Sequence, residues 1–293
     1  MTSLNKSFFL TAASLLVFFT AGAQYYYKDI ISNKDLMAEM ALLKENKIKT
    51  VKVNSFDRED EPSIGFFCEK KLKKNYSEME TVMKSYASAE SVLISAFNKK
   101  GLIEKTVDSS EIAVNTTEYG YDEKDRLISI SSFSVSKDDD LSNHSVEQHL
   151  YYYNEKDIPV KMIVVKNTTD SAIINLVADE KGNIIEEKNS KTGKSYYYYY
   201  DGKNHLTDVV YFNSSLRKLL PILMFEYSPI GQVTQMVTAE EGSVFYYTWR
   251  YTYENGFKVK EKCYATHQKD PLLRDNYRSS AKELQGIIEY EYK

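Results

Sequence analysis

The chain has 293 residues, a formal charge of −4 and 42% hydrophobic residues, which is enough to bury a core without disulfide or metal staples. A mildly acidic chain without a basic cluster lacks the electrostatic footprint of a nucleic-acid binder, and no nucleic-acid partner is expected. Tyrosine is the anomaly: 25 residues, against 11 glycines, 5 prolines and one tryptophan. That bias suits half-wet sheet surfaces, where the ring packs and the hydroxyl finds water or a partner.

Residues 1–23, MTSLNKSFFLTAASLLVFFTAGA, combine one Lys6, an apolar run and the small-residue end Ala21-Gly22-Ala23. This is the pattern of a secretory signal peptide. The run Phe8–Ala23 is shorter than the roughly 20 residues of a membrane span. No cysteine follows the cleavage cue to take a lipid. The expected product begins at Gln24 and is exported to the periplasm or extracellular space, soluble and not an integral membrane protein. Residues 24–89 then predict a helix over 34–46, capped by Ser32 or Asn33, with Leu36, Met40 and Leu43 on one face. Its expected role is to cover part of a sheet. "IKTVKVNSF" and "SIGFFCEKKL" read as the first strands, joined across "DREDEP".

Residues 90–293 change to a period of two and repeat, giving one continuous domain with 24–89. An aromatic or small residue recurs as Phe97, Tyr121, Tyr153, Ala178, Tyr200, Tyr227 and Tyr253, 22–32 residues apart. One position later stand Asn98, Asp122, Asn154, Asp179, Asp201 and Ser228. Four positions later stand Gly101, Asp125, Asp157, Gly182, Asn204 and Gly231. Asp, Asn or Ser opening a turn, with Gly, Asn or Asp at its left-handed position, is hairpin chemistry. In the seventh unit the glycine, Gly256, arrives one position early. A lone hairpin is unstable in water, so the units must stack. The predicted fold is all-β: an antiparallel meander of repeated hairpins, sixteen to eighteen strands, forming a curved or wrapped sheet with one N-terminal α-helix.

The stretch "YGYDEKDRL" at 119–127 resembles the Y-x-Y-D-x-x-G-R-L cue of the YD-repeat family, the rearrangement-hotspot type, with Arg126 at the arginine and Asp125 at the glycine position. The resemblance extends over about residues 95–265. In large members such repeats wind into a β-shell enclosing a toxin or form part of an adhesion protein. With about seven units, the resemblance implies a small secreted protein of bacterial envelopes.

Catalytic and metal patterns are sparse. His144, His149, His205 and His267 are scattered, and no HExxH or CxxC spacing occurs, so neither metal nor cofactor is expected. Glu186-Glu187 and Glu240-Glu241 are adjacent pairs whose members point to opposite strand faces; both are expected to be solvated turn and edge charges. "KDDDLSNHS" at 137–145 reads as a polar loop. Cys68 and Cys263 permit one bridge in an exported chain, or two buried thiols.

The sharpest local feature is "VFYYTWRYTY", which puts Phe245, Tyr247, Trp249, Tyr251 and Tyr253 on one strand face. Such a ladder is either the core face of a long strand, the expected role, or a platform for sugar rings or peptide side chains, which makes Tyr247, Trp249, Tyr251 and Tyr253 the candidate binding residues. The functional expectation is an exported, non-enzymatic protein that binds or scaffolds an envelope glycan or protein. The alternative is a glycan-directed hydrolase with carboxylates converging in a cleft. N-terminal sequencing of protein made in its native host is expected to read Gln24, free or cyclised; an intact Met1 in the soluble fraction would overturn the export reading.

Overall fold

The computed structural model describes residues 25–137, 144–239, 245–267 and 283–293. Residues 1–24, on which the signal-peptide expectation falls, Glu240, Glu241 and most of the 137–145 loop lie outside the described residues. Helix α1 (Lys28–Glu45) is followed by β1 (Thr50–Phe56), β2 (Phe67–Leu72), β3 (Glu78–Ser85), β4 (Ser88–Phe97), β5 (Ile103–Ser109) and β6 (Ala113–Tyr121). Next come β7 (Leu127–Ser136), β8 (His144–Tyr153), β9 (Pro159–Lys166), β10 (Asp170–Ala178), β11 (Ile184–Asn189) and β12 (Ser195–Tyr200). The chain ends with β13 (Leu206–Asn213), β14 (Lys218–Tyr227), β15 (Val233–Ala239), β16 (Phe245–Glu254), β17 (Phe257–His267) and β18 (Glu283–Tyr292).

Each strand pairs antiparallel with its neighbours in sequence, and β1 pairs with both β2 and β18. The sheet is therefore a closed 18-stranded barrel, not the curved or wrapped sheet expected from sequence. The physical reason is edge pairing: an open meander leaves two rows of unpaired backbone groups, and joining its ends removes both. At the seam the Lys49 and Thr50 N–H groups donate to the Lys293 carbonyl at 2.6 and 2.9 Å. The Lys293 N–H returns a bond to the Thr50 carbonyl at 2.8 Å.

The repeat is a turn of constant construction. Asn98, Asp122, Asn154, Asp179 and Asp201 each accept, through Oδ1, the N–H groups two and four residues on, at 2.8–3.1 Å. Ser228 makes the corresponding bond to the Gln232 N–H at 3.1 Å. The left-handed residue that closes each turn is Gly101, Asp125, Asp157, Gly182, Asn204 or Gly231, with φ from 59° to 88°. A β-bulge follows at every anchor. The seventh hairpin instead uses a two-residue Asn255-Gly256 turn with both φ positive, which is why its glycine comes early.

The anchor tyrosines tie one hairpin to the one before it. Tyr153 Oη donates to the Leu127 carbonyl, Tyr200 Oη to Ile184 and Tyr227 Oη to Leu206, at 2.7–2.8 Å. Each acceptor is the first residue of the preceding return strand, beside its bulge. Tyr292 repeats the pattern with the Lys258 carbonyl at 2.8 Å. Turn-to-turn links run along the same rim: Lys100 to Asp125, Lys124 and Arg126 to Asp157, and Asn183 to Asn204.

Helix α1 lies inside the ring. Asp29 meets His149 of β8, Asn33 meets Tyr121 of β6 and Glu39 meets Lys70 of β2. Met40 and Leu43 pack with Val51, Leu72, Met79, Phe97 and Ile103, one from each of β1–β5. An element that touches inward side chains around so much of a closed ring must occupy its interior. The helix is thus a plug and not an external cover, and it begins six residues before the predicted start, with Ser32 and Asn33 inside it. Tyr200→Phe is expected to cost about 1 kcal/mol in urea unfolding by leaving the buried Ile184 carbonyl unpaired, whereas Tyr199→Phe, on the exposed outer face, should stay within about 0.5 kcal/mol. Equal losses would show that the hydroxyl bond contributes nothing.

Candidate functional site

The convergence of ionisable groups lies in the lumen, at the start of α1. Strand alternation turns His149, Tyr151 and Tyr153 of β8 inward, and does the same for Glu187 of β11 and Tyr196 and Tyr198 of β12. The Glu187 carboxylate, 2% exposed, accepts the Tyr26 N–H at 2.9 Å, the Tyr27 N–H at 2.8 Å and the Tyr198 hydroxyl at 2.8 Å. Tyr27 is the N-cap of α1 and offers no side-chain cap of its own. A carboxylate from β11 therefore supplies the negative charge that a helix N-terminus favours. Burial lifts the Glu187 carboxyl to about 6, against the lowering effect of these donors.

His149 stands beside this anchor between two carboxylates, Nδ1 at 2.6 Å from Asp29 Oδ2 and Nε2 at 2.8 Å from Glu147 Oε1. Burial lowers its pKa, but the bonds to Asp29 and Glu147 outweigh that and carry it to about 9. The ring is then an imidazolium donating from both nitrogens at neutral pH. Tyr151 Oη donates to Asp29 Oδ2 at 2.7 Å and lies 3.1 Å from the Tyr26 carbonyl oxygen. Chemically this is a closed set: His149 spends both nitrogens on carboxylates, and Glu187 is saturated by donors. It seats the helix.

A second, part-buried set holds the later turns of α1. Lys70 Nζ pairs with Glu39 Oε1 at 2.7 Å. The ammonium holds the Glu39 carboxyl below its ordinary value against the cost of burial. Nearby on β17, Glu261 pairs with Lys258 at 2.5 Å and accepts the Tyr290 hydroxyl at 2.5 Å, while its Oε2 has no hydrogen-bond partner.

The candidate residues from the sequence fall elsewhere in the lumen. Trp249 points inward, 6% exposed, and packs with Val53, Cys68, Cys263 and Ile288; Tyr247 and Tyr251 flank that cluster. Tyr253 shares the inward face beyond a bulge at 252/253. Cys68 and Cys263 are buried free thiols on β2 and β17, with β1 and β18 between them, so the bridge considered above is not formed. Burial raises them to about 11 and 12. Among the described residues no group of three His, Cys, Asp or Glu is placed to hold a metal.

Two residues defeated sequence reasoning. Glu187 is buried, not a solvated turn charge, while its neighbour Glu186 faces outward. His149 is separated from the exposed His144 by five positions on one strand, and its partner Asp29 is 120 residues away. The only local signal was parity, since His149 shares its face with Tyr151 and Tyr153.

The anchor has a pH signature. The His149 pKa rises from 6.5 to about 9 on folding, so its stabilisation is full below pH 6.5 and lost as pH climbs through 9. The upper magnitude is about 3 kcal/mol. Glu187 has the opposite sign: its raised pKa destabilises the fold above pH 6, and this is relieved as pH falls toward 4.5. The wild-type thermal midpoint is expected to fall between pH 6.5 and 9, and His149→Gln should start lower and stay flatter across that window. Identical slopes would exclude His149 as the coupled group.

No family model matches the chain, and no curated protein matches it. Solved structures with a similar course include a porin-like protein from Bacteroides uniformis, at 11% identity and a TM-score of 0.39, covering 84% of this chain and 98% of that one. A TcdB2–TccC3–Cdc42 complex matches at 11% identity and a TM-score of 0.27, covering 80% of this chain and 17% of that one. The Tc holotoxin pore of Photorhabdus luminescens matches at 11% and 0.23, covering 79% and 17%. The chain spans about a sixth of these two toxin chains.

Proposed function

We propose that this chain is an exported, non-enzymatic barrel that remains in aqueous solution and serves as a binding or scaffolding protein of the cell envelope. The observation that carries this reading is the chemistry of the outer wall. Outward positions of β17, β18, β1 and β2 are laced with paired charges: Lys260–Glu289 at 2.6 Å, Lys293–Glu291 at 3.0 Å and Lys71–Glu69 at 2.8 Å. Asn54 donates to Glu291 at 2.8 Å across β1 and β18, and Lys105 pairs with Glu118 across β5 and β6. A lipid-facing barrel needs an apolar band around its whole circumference. Exposed apolar residues do occur on β7–β14, including Phe133, Ile173, Tyr199, Phe212 and Leu219, and Phe67 stands exposed on β2. Apart from Phe67 they form one sector, interrupted by Lys161, Asn175 and Lys188, not a girdle.

The non-enzymatic part of the reading rests on the commitment of the converging carboxylates. Asp29, Glu147 and Glu187 hold His149, tyrosine hydroxyls and backbone amides beneath the helix, away from any substrate. The family resemblance noted in the sequence fits an envelope setting for such a barrel. The deciding experiment is fractionation of cells expressing the full-length chain, followed by size exclusion without detergent. Folded, monodisperse protein in the detergent-free soluble fraction is expected. Recovery only from membranes, and only with detergent, would overturn the reading.

A further inference from the structure

We infer that Asn255 is a site of self-modification, at which the side-chain amide leaves as ammonia and the turn between β16 and β17 is rebuilt through a cyclic imide. The reaction needs a side-chain carbonyl carbon and, one residue on, a backbone nitrogen that can reach it. Glycine leaves that nitrogen unhindered, because it carries no Cβ. Asn-Gly occurs once in the chain, at 255–256, and Asp-Gly once, at 201–202. What holds each side chain decides which of the two reacts.

Asp201 is clamped. Its Oδ1 accepts the Lys203 and His205 N–H groups at 2.8 and 2.9 Å, and its Oδ2 lies 2.9 Å from His205 Nδ1. The backbone bond from His205, helped by the others, holds the carboxyl below its ordinary value. An ionised carboxylate is a poor electrophile. Asparagines in other turns are held in a similar way: Asn98 and Asn154 through Oδ1, Asn189 by the Lys191 and Thr192 N–H groups, and Asn213 by the Leu216 N–H. Asn255 differs from all of them. It is exposed, and its carboxamide makes no hydrogen bond among the described residues. The ladder closes at Glu254 and Phe257, which leaves the Gly256 N–H outside it and without an acceptor among the described residues. Gly256 is itself exposed, and the nearest atom to the place of a Cβ there is Leu42 Cδ1 at 3.9 Å. Water reaches this turn.

The step balances with water alone. The Gly256 nitrogen bonds to Asn255 Cγ and releases its proton to water. The Cγ–Nδ2 bond breaks, Nδ2 takes up a proton, and ammonia leaves. Water then opens the imide. Attack at Cγ gives aspartate; attack at the Asn255 carbonyl carbon gives isoaspartate, whose main chain runs through Cγ and is one atom longer. The left-handed turn must open before nitrogen meets carbon, so the folded chain reacts more slowly than a free peptide of the same sequence.

The two products act differently on the barrel. Asp-Gly forms the same primed turn as Asn-Gly, so aspartate keeps the hairpin and adds a charge beside Glu254. Isoaspartate lengthens a turn of two residues, both with positive φ, and the Glu254–Phe257 pair loses its register. Phe257 packs on Tyr292 of β18 with ring centroids 4.5 Å apart, so the disturbance reaches the strand that closes the ring.

The test is to age the full-length chain at mildly alkaline pH until a synthetic Tyr251–Lys258 peptide, kept alongside, has fully converted. Tryptic peptides of the protein are then mapped by mass. The peptide Tyr251–Lys258 is expected to gain the mass difference of acid over amide at least about tenfold faster than peptides carrying Asn98, Asn154, Asn189 or Asn213. Asp201-Gly202 should not isomerise over the same period. The isoaspartyl protein, separated by chromatography, is expected to melt below the parent, whereas Asn255→Asp melts with it. An Asn255 that survives the ageing would overturn the inference. So would conversion of Asn98 or Asn154 at the rate of Asn255, because the turn bonds would then protect nothing. Equal midpoints for the isoaspartyl and parent proteins would overturn the effect on ring closure.

Discussion

The pairing of β1 with β18 is the constraint on which the rest of this structure depends. A meander of seventeen local pairings is complete without it, but only the eighteenth makes an inside and an outside. Once the ring closes, strand alternation acquires a meaning it lacks in an open sheet. One parity must be packed, plugged or hydrated, and the other must face the surroundings. Tyrosine abundance fits that situation. Its ring spans part of a wide interior, and its hydroxyl reaches a carbonyl next to a bulge, where the regular ladder leaves an acceptor free.

The plug could not be held by apolar contact alone. A helix in a wide ring has many nearly equivalent seats, because hydrophobic packing is non-directional. Charged hydrogen bonds are directional, and those at Glu187, His149 and Glu39 each admit one partner geometry. Burying these ions is costly, and such pairs more often specify an arrangement than add net stability. The donors around Glu187 offset its desolvation, and the positive end of the helix contributes further. The helix thus needs no Ser or Asp cap in its own sequence, which explains why Ser32 and Asn33 are misleading as a start signal.

What was legible in the sequence was local. Asp122, Asn154, Asp179, Asp201 and Ser228 declare hairpins because an Asx or Ser turn is made within five residues. The number of strands followed from counting those turns. Ring closure, the inside position of α1 and the role of Glu187 were not legible, because each joins groups separated by more than a hundred residues. Glu187 shows the difficulty well. A glutamate next to another glutamate near a turn is usually solvated, and only the bulge at 177/178 together with the closed ring places it under the helix. Trp249 was readable as an alternating ladder residue, yet alternation alone could not say which face looked into a lumen.

The two ends of the barrel divide their duties unequally. The repeat turns are nearly identical in length and hydrogen bonding, and they are linked to each other by lysine, arginine and asparagine side chains. The spacing between anchors nevertheless varies from 22 to 32 residues. That variation falls in the strands and in the connections at the opposite end, which range from two residues between β3 and β4 to fifteen between β17 and β18. Uniform turns serve the scaffold, whereas connections free to vary in length are where proteins place recognition. The plug obeys the same division, since its later turns pack beside the repeat-turn rim. A barrel stabilised from one end can vary the other without losing its fold.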